Sequence, residues 1–174
     1  YEFKPDGSTK ATTIGPLVTT KWDQGGYYND SCPGGSVTGC VATMMAQVLR
    51  YWSHPAQGEG SYSYVHPSYG IQSANFGATS YNWENMPDIV SAPNADVAQL
   101  MYHCGVSVDM SYSPGGSGAN MGRAASAYMT YFKYSYFGIN MMKTNHTDAA
   151  WKVRLRADLI DGRPISYAGG SHAF

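Results

Sequence analysis

Charge is scarce in this chain. Of its 174 residues only 13% are Asp, Glu, Lys or Arg, and 11 basic against 12 acidic residues give a formal net charge of -1. No run of like charge occurs, so the electrostatic footprint of a nucleic-acid or anionic-membrane partner is missing. Long apolar runs are missing too. Nothing approaches the roughly 18 consecutive apolar residues of a membrane-spanning helix, and the opening "YEFKPDGSTK" has no apolar signal core. The chain therefore reads either as cytosolic or as the mature part of an exported protein. Cysteine is equally sparse: Cys32, Cys40 and Cys104 make an odd number, so at least one thiol is free unless it pairs between chains. A Cys32–Cys40 disulfide is permitted by count but would tie down a helix start. With no CxxC or HExxH spacing, no metal site is expected. The absence of GxSxG argues against serine hydrolase chemistry, and the glycine stretches "QGEGS" and "GSGAN" read as turns rather than phosphate loops. No internal repeat is found.

What is present is 43% hydrophobic residue, with 20 glycines and 15 tyrosines. A chain of this length can bury roughly 70% of its unfolded surface, enough for a core without staples. The glycine and tyrosine content points to a loop-rich fold with amphipathic surfaces, a composition common in exported proteins. Residues 1–20 read as an extended lead-in and 21–39 as a Gly/Pro/Asn/Asp loop. The apolar spacing of Val41, Met44, Met45, Val48, Leu49 and Trp52 predicts a helix over 40–52 with that face in the core. Residues 54–70 read as a strand or hairpin arm, and "YNWENMP" (81–87) as aromatic packing over a helix. Asn94 is placed to cap a helix through His103, with Cys104 on its inner face and Gly105 as its stop. A third helix is expected over 119–132, after a flexible "SPGGSGAN". A fourth runs from Thr147 to Asp161 with Trp151, Leu155 and Leu159 in one stripe. A strand over 164–168, a Gly-Gly break and a histidine follow. Helices early and strands late predict an α+β fold rather than a repeated βαβ sheet.

Cys40 stands where chemistry is conceivable. The first-turn N–H groups of a helix carry partial positive charge and stabilise a thiolate, lowering a thiol pKa from about 8.5 toward or below neutrality. Gly39 before it would let a substrate carbonyl approach the backbone. The residues alone leave this reading open beside the commoner one, a small buried hydrophobe at a helix start. A nucleophile also needs a base and an oxyanion site. His54 and His66 precede proline and read as surface residues in extended loops. His103, late in a helix, reads as structural, its charge favoured by the helix dipole, and His146 as solvated. His172, between Ser171 and Ala173 after a Gly-Gly break, can project past small neighbours into a cleft, which makes it the best base on context. For the oxyanion, Gln24 in "KWDQGG" is a neutral donor, and the Cys40 backbone N–H is a second.

In order along the chain, "GCVATMMAQVLRYW", "HPAQGEGSYSY", "YNWENMP", "GVSVDMSYSPGGSGA" and "GRPISYAGGSHAF" resemble the streptopain family of papain-fold cysteine peptidases, closest to the interpain-type enzymes of Bacteroidetes. The resemblance runs from about residue 16 to residue 174. It implies a two-lobed papain-like architecture, with a mainly helical left half carrying Cys40 and an antiparallel β right half carrying His172. By the same resemblance Cys40 is the nucleophile, with Met44 standing where the family has alanine. His172 is the catalytic histidine, with Ser171 in place of a glycine, and Gln24 helps form the oxyanion hole. Residues 1–15 would be a propeptide tail or a mature N-terminal extension, and 16–174 the peptidase domain, incomplete at its C-terminal side. Family members continue past the histidine to an Asn-Trp pair, so a companion C-terminal fragment is a possible partner. The resemblance further implies a secreted or cell-envelope enzyme, protein or peptide substrates with a hydrophobic residue at P2, the enzyme's own propeptide as inhibitor, and no cofactor. The rival expectation is an inactive homologue or a secreted module that binds protein or glycan.

Overall fold

A computed structural model describes residues 13–135 and 141–174. Most of the segment expected to be a propeptide tail or extension lies outside the described residues. Helix α1 (Cys40–Trp52) forms where the apolar spacing predicts it and is the axis of the fold. Its faces are divided. Val41, Ala42, Met45 and Leu49 are enclosed against α2 (Ala95–Ser107), whose Val97, Leu100, Met101 and Cys104 are equally buried. Each fully enclosed Leu or Met contributes roughly 1.5–3 kcal/mol of transfer free energy. Trp52, expected in that core face, is instead 46% exposed. It is the last residue of the helix and packs edge-on against Tyr51.

Asn94 caps α2 as anticipated, its Oδ1 accepting the Val97 N–H at 3.0 Å. The helix does not stop at Gly105 but runs on to Ser107. Gly105 serves packing: a Cβ there would run into the Tyr112 hydroxyl. Strands β1 (Tyr62–His66) and β2 (Gly70–Ala74) form an antiparallel hairpin in which Tyr64 faces Gln72 and Val65 faces Ile71. His66, expected at the surface, is buried at the end of β1. The turn folds back around its ring, so that Nδ1 accepts the Ser68 and Tyr69 N–H groups at 3.1 and 3.2 Å and Tyr69 stacks on it. The aromatic packing expected near residue 83 is present: the Tyr81 hydroxyl meets His103 Nδ1 of α2 at 3.0 Å, and Trp83 Nε1 donates to Pro55 O at 2.9 Å.

Helix α3 (Gly122–Tyr131) packs on α2. Helix α4 (Asp148–Ile160) is capped by Thr147 Oγ1, which accepts the Ala150 N–H at 3.2 Å, and the chain turns away at Gly162 with φ +70. The Tyr51 hydroxyl of α1 donates to Gly162 O at 2.9 Å and ties α4 to the central helix. The final strands fall later than 164–168: β3 is Ala168–Gly169 and β4 is His172–Ala173. Tyr167 and Phe174 close this hairpin by exchanging backbone hydrogen bonds at 2.9 and 2.8 Å. Its turn uses Gly170 at φ +62, a conformation that glycine adopts without a Cβ clash. The result is an α+β architecture with α1 between a helical half and the α4 and β3–β4 region.

Candidate active site

The segment leading into α1 decides where Cys40 sits. Gly39, the residue before the helix, has φ +87, and a Cβ there would lie 2.6 Å from Met110 Sδ and 3.0 Å from Ser117 O. Gly39 is thus required by backbone conformation and by close packing on the interior side. The space that its missing side chain leaves is occupied by Met110. No side chain caps α1 and its first turn holds no acidic residue. The helix therefore presents open N–H donors and an unneutralised positive dipole end at Cys40. Thr43 secures the start from within, its N–H and Oγ1 both donating to Gly39 O at 3.0 and 3.1 Å.

Upstream, residues 36–38 are held along both edges. On one side Thr38 N–H donates to Gln24 O at 2.9 Å, and Asn29 Nδ2 donates to Ser36 O at 2.9 Å. On the other, Val37 N–H donates to Ser113 O at 3.4 Å, and Ser117 Oγ donates to Val37 O at 2.6 Å. Gln24 is thereby docked two residues ahead of Cys40. Its own N–H is taken by Asp23 Oδ1 at 2.6 Å.

His172 arrives from the other side. Its neighbour Ala173 is buried, and β4 packs on α1, leaving the imidazole exposed and edge-on to Phe174. Gln24, Cys40 and His172 line one cleft of about 670 Å³. From α1 it is lined by Cys40, Thr43, Met44, Gln47 and Val48, the face of the helix turned away from α2. Trp22, Leu155, Leu159, Ile165 and Tyr167 make the rest largely apolar, and Asp23 adds a carboxylate beside Gln24. The three residues singled out from the sequence are brought together, and the other four histidines lie outside this cleft.

The remaining thiols differ from Cys40 in their surroundings. All three cysteines are free, so the Cys32–Cys40 disulfide does not form. Burial pushes the Cys32 thiol up to about 12, partly offset by a hydrogen bond with Tyr112, and burial raises Cys104 as well. Cys40 is half-buried and opens on the cleft. His103 is held neutral, its pKa lowered to about 4 by burial, so the helix-dipole role expected of its charge is not what keeps it there. Among the described residues no group of three or more His, Cys, Asp or Glu side chains is arranged to hold a metal ion. The contribution of Ser113 and Ser117 was not anticipated. In the sequence "SPGGSG" looks like a turn, and its bond to Val37 joins positions 80 apart.

Similarity to known proteins agrees with this geometry. The chain is 30% identical to streptopain of Streptococcus pyogenes over 155 residues, covering 80% of this chain and 39% of that protein. It is 31% identical to the thiol protease/hemagglutinin PrtT of Porphyromonas gingivalis, covering 94% of this chain and 22% of that one. The chain thus spans well under half the length of these relatives. Among solved structures, prointerpain A of Prevotella intermedia superposes with a TM-score of 0.84 at 39% identity, over 98% of this chain and 59% of that chain. The active wild-type interpain A cysteine protease of the same organism gives 0.82 at 37% identity, over 99% and 78%. The fold is therefore the papain-like one of interpain A. The model of the peptidase C10 family matches residues 22–174, the stretch that carries Gln24, Cys40 and His172, and the chain belongs to that family.

Proposed function

We propose that this chain carries the catalytic elements of a cysteine endopeptidase, with Cys40 as nucleophile, His172 as base and Gln24 with the Cys40 N–H as oxyanion donors. The observation that carries the reading is the meeting of Cys40, at an uncapped helix start, with Gln24 and His172 in one cleft. His172 takes the thiol proton, and the Cys40 sulfur adds to the carbonyl carbon of the scissile peptide. The resulting oxyanion is stabilised by the two donors. His172 then returns the proton to the departing amine as the C–N bond breaks, leaving a thioester. Water, deprotonated by the same imidazole, adds to the thioester and releases the acid and the thiol. The apolar lining contributed by Trp22, Met44, Leu155 and Leu159 supports a preference for hydrophobic side chains, at P2 by family resemblance.

The wider reading follows the relatives. The pairing of a pro-form with an active form among the interpain A structures supports a propeptide as the inhibitor of this protein too. By the same family resemblance the protein is secreted or attached to the cell envelope. On the His172 side, the Asn-Trp pair that the resemblance implies would complete the site.

Alkylation tests the assignment. At pH 6 iodoacetamide is expected to modify Cys40 far faster than an ordinary exposed thiol, and Cys40→Ala to abolish casein cleavage. His172→Ala should move the onset of alkylation to higher pH. Alkylation no faster than that of an ordinary thiol, with casein left intact, would mean an inactive homologue or a binding module.

A further inference from the structure

We infer that Ser117 is a positioning residue for the oxyanion site, holding from behind the segment that places both oxyanion donors. The inference rests on the peptidase reading above. Ser117 Oγ donates to Val37 O at 2.6 Å, the shortest of the bonds that fasten residues 36–38, and accepts the Ser113 N–H at 3.0 Å. It is thus a built junction between the 113–118 loop and the segment entering α1. Ser117 O in turn lies 3.0 Å from the point where a Gly39 side chain would begin. Three residues beyond Val37 comes the Cys40 N–H, one donor. One residue beyond Val37, Thr38 N–H holds Gln24 O and so docks the other. Both donors are referred to the same short segment, and Ser117 fixes its far edge.

Oxyanion donors act within a narrow tolerance, since a shift of about 1 Å in a positioned group can lower a rate by about 100-fold. Ground-state binding in the apolar cleft does not pass through Val37. Removing the Ser117 hydroxyl should therefore weaken transition-state stabilisation without changing substrate affinity. Thiolate reactivity should also be spared, because it rests on the contact between α1 and β4, the strand that carries His172.

The experiment compares Ser117→Ala, Ser117→Thr and Gln24→Ala in the whole protein, using three readouts: steady-state kinetics, binding of a peptide aldehyde, and iodoacetamide alkylation. The aldehyde is attacked at its carbonyl carbon, and the oxygen of the hemithioacetal occupies the oxyanion site. Iodoacetamide is attacked at a saturated carbon with loss of iodide, and no oxyanion forms. Ser117→Ala should lower kcat and aldehyde affinity by about ten-fold, below the loss typical of deleting a donor outright. KM and the alkylation profile should stay unchanged, and Ser117→Thr, which keeps the hydroxyl, should restore kcat. Unchanged kcat and aldehyde affinity in Ser117→Ala overturn the inference. So does alkylation that slows in step with kcat, or a threonine variant as impaired as the alanine one. Gln24→Ala separates the two possible failures. If it leaves aldehyde binding intact, the donor assignment is wrong and the inference falls with it. If Gln24→Ala weakens aldehyde binding and Ser117→Ala does not, only the role of Ser117 is wrong.

Discussion

Cys40, Cys32 and Cys104 share a side chain and differ in everything that governs thiol reactivity. Cys104 is fully enclosed in α2, and Cys32 is buried beside Tyr112, where loss of water around a thiolate pushes its pKa up to about 12. Cys40 alone faces the cleft. A thiol-disulfide reagent such as DTNB should therefore titrate one cysteine in the native protein and three after denaturation. Two or more reactive thiols before unfolding would contradict the burial of the other pair. From the sequence, Cys104 was legible as core because its neighbours recur at helical spacing. Cys40 was legible only as a residue at a helix start, which is compatible with either fate. What separates them is the missing cap, the missing acidic residue and the cleft, and of these only the first two can be read along the chain.

At the level of elements, α1 follows from its apolar spacing and α2 and α4 from their spacing and the Asn94 and Thr147 caps, signals that lie within a few residues of each helix. The departures come where distant parts of the chain meet. Glycine after an apolar run is an ordinary helix stop, yet α2 passes through Gly105 because Tyr112 must close over it. Gly105→Ala tests which demand dominates. On helix propensity alone alanine would stabilise by about 1 kcal/mol, whereas overpacking against the Tyr112 hydroxyl should destabilise by about 1–3 kcal/mol. A lower urea midpoint is the expected result. His66 was misread for a related reason: a residue before proline suggests open loop, but the β1–β2 turn wraps its backbone donors around the imidazole. The 113–118 loop is the clearest case. Its composition says flexibility, and its role lies in bonds to a segment some 80 positions earlier.

For the whole molecule, the buried histidine in the helical half sets a pH limit on folding. His103 is neutral in the native state, with its pKa lowered to about 4 by burial, against about 6.5 in an unfolded chain. Between these values the unfolded state binds the extra proton, so stability is fully present above pH 6.5 and is lost as pH falls toward 4. The loss between pH 7 and pH 5 should be on the order of 2 kcal/mol, and His103→Gln should flatten this part of the profile in urea unfolding. An equal slope in both proteins would show that other groups dominate. The α+β class was legible as helices early and strands late, and the two-lobed arrangement only through the family resemblance. The junction between the halves was not, since it depends on Tyr51 reaching Gly162 and on β4 lying against α1.

That junction also divides the proposed Cys40–His172 pair between two kinds of support. Cys40 begins a thirteen-residue helix whose inner face is closed, so substitutions at Val41, Ala42, Met45 or Ala46 disturb the core before they reach the thiol. His172 rides on a two-residue strand with exposed neighbours at Gly169, Gly170 and Ser171. Substitution at the exposed Ser171 can re-aim the imidazole at little expense to folding. Divergence among relatives in pH response and leaving-group preference should accordingly be written in the hairpin, while the helix stays nearly frozen.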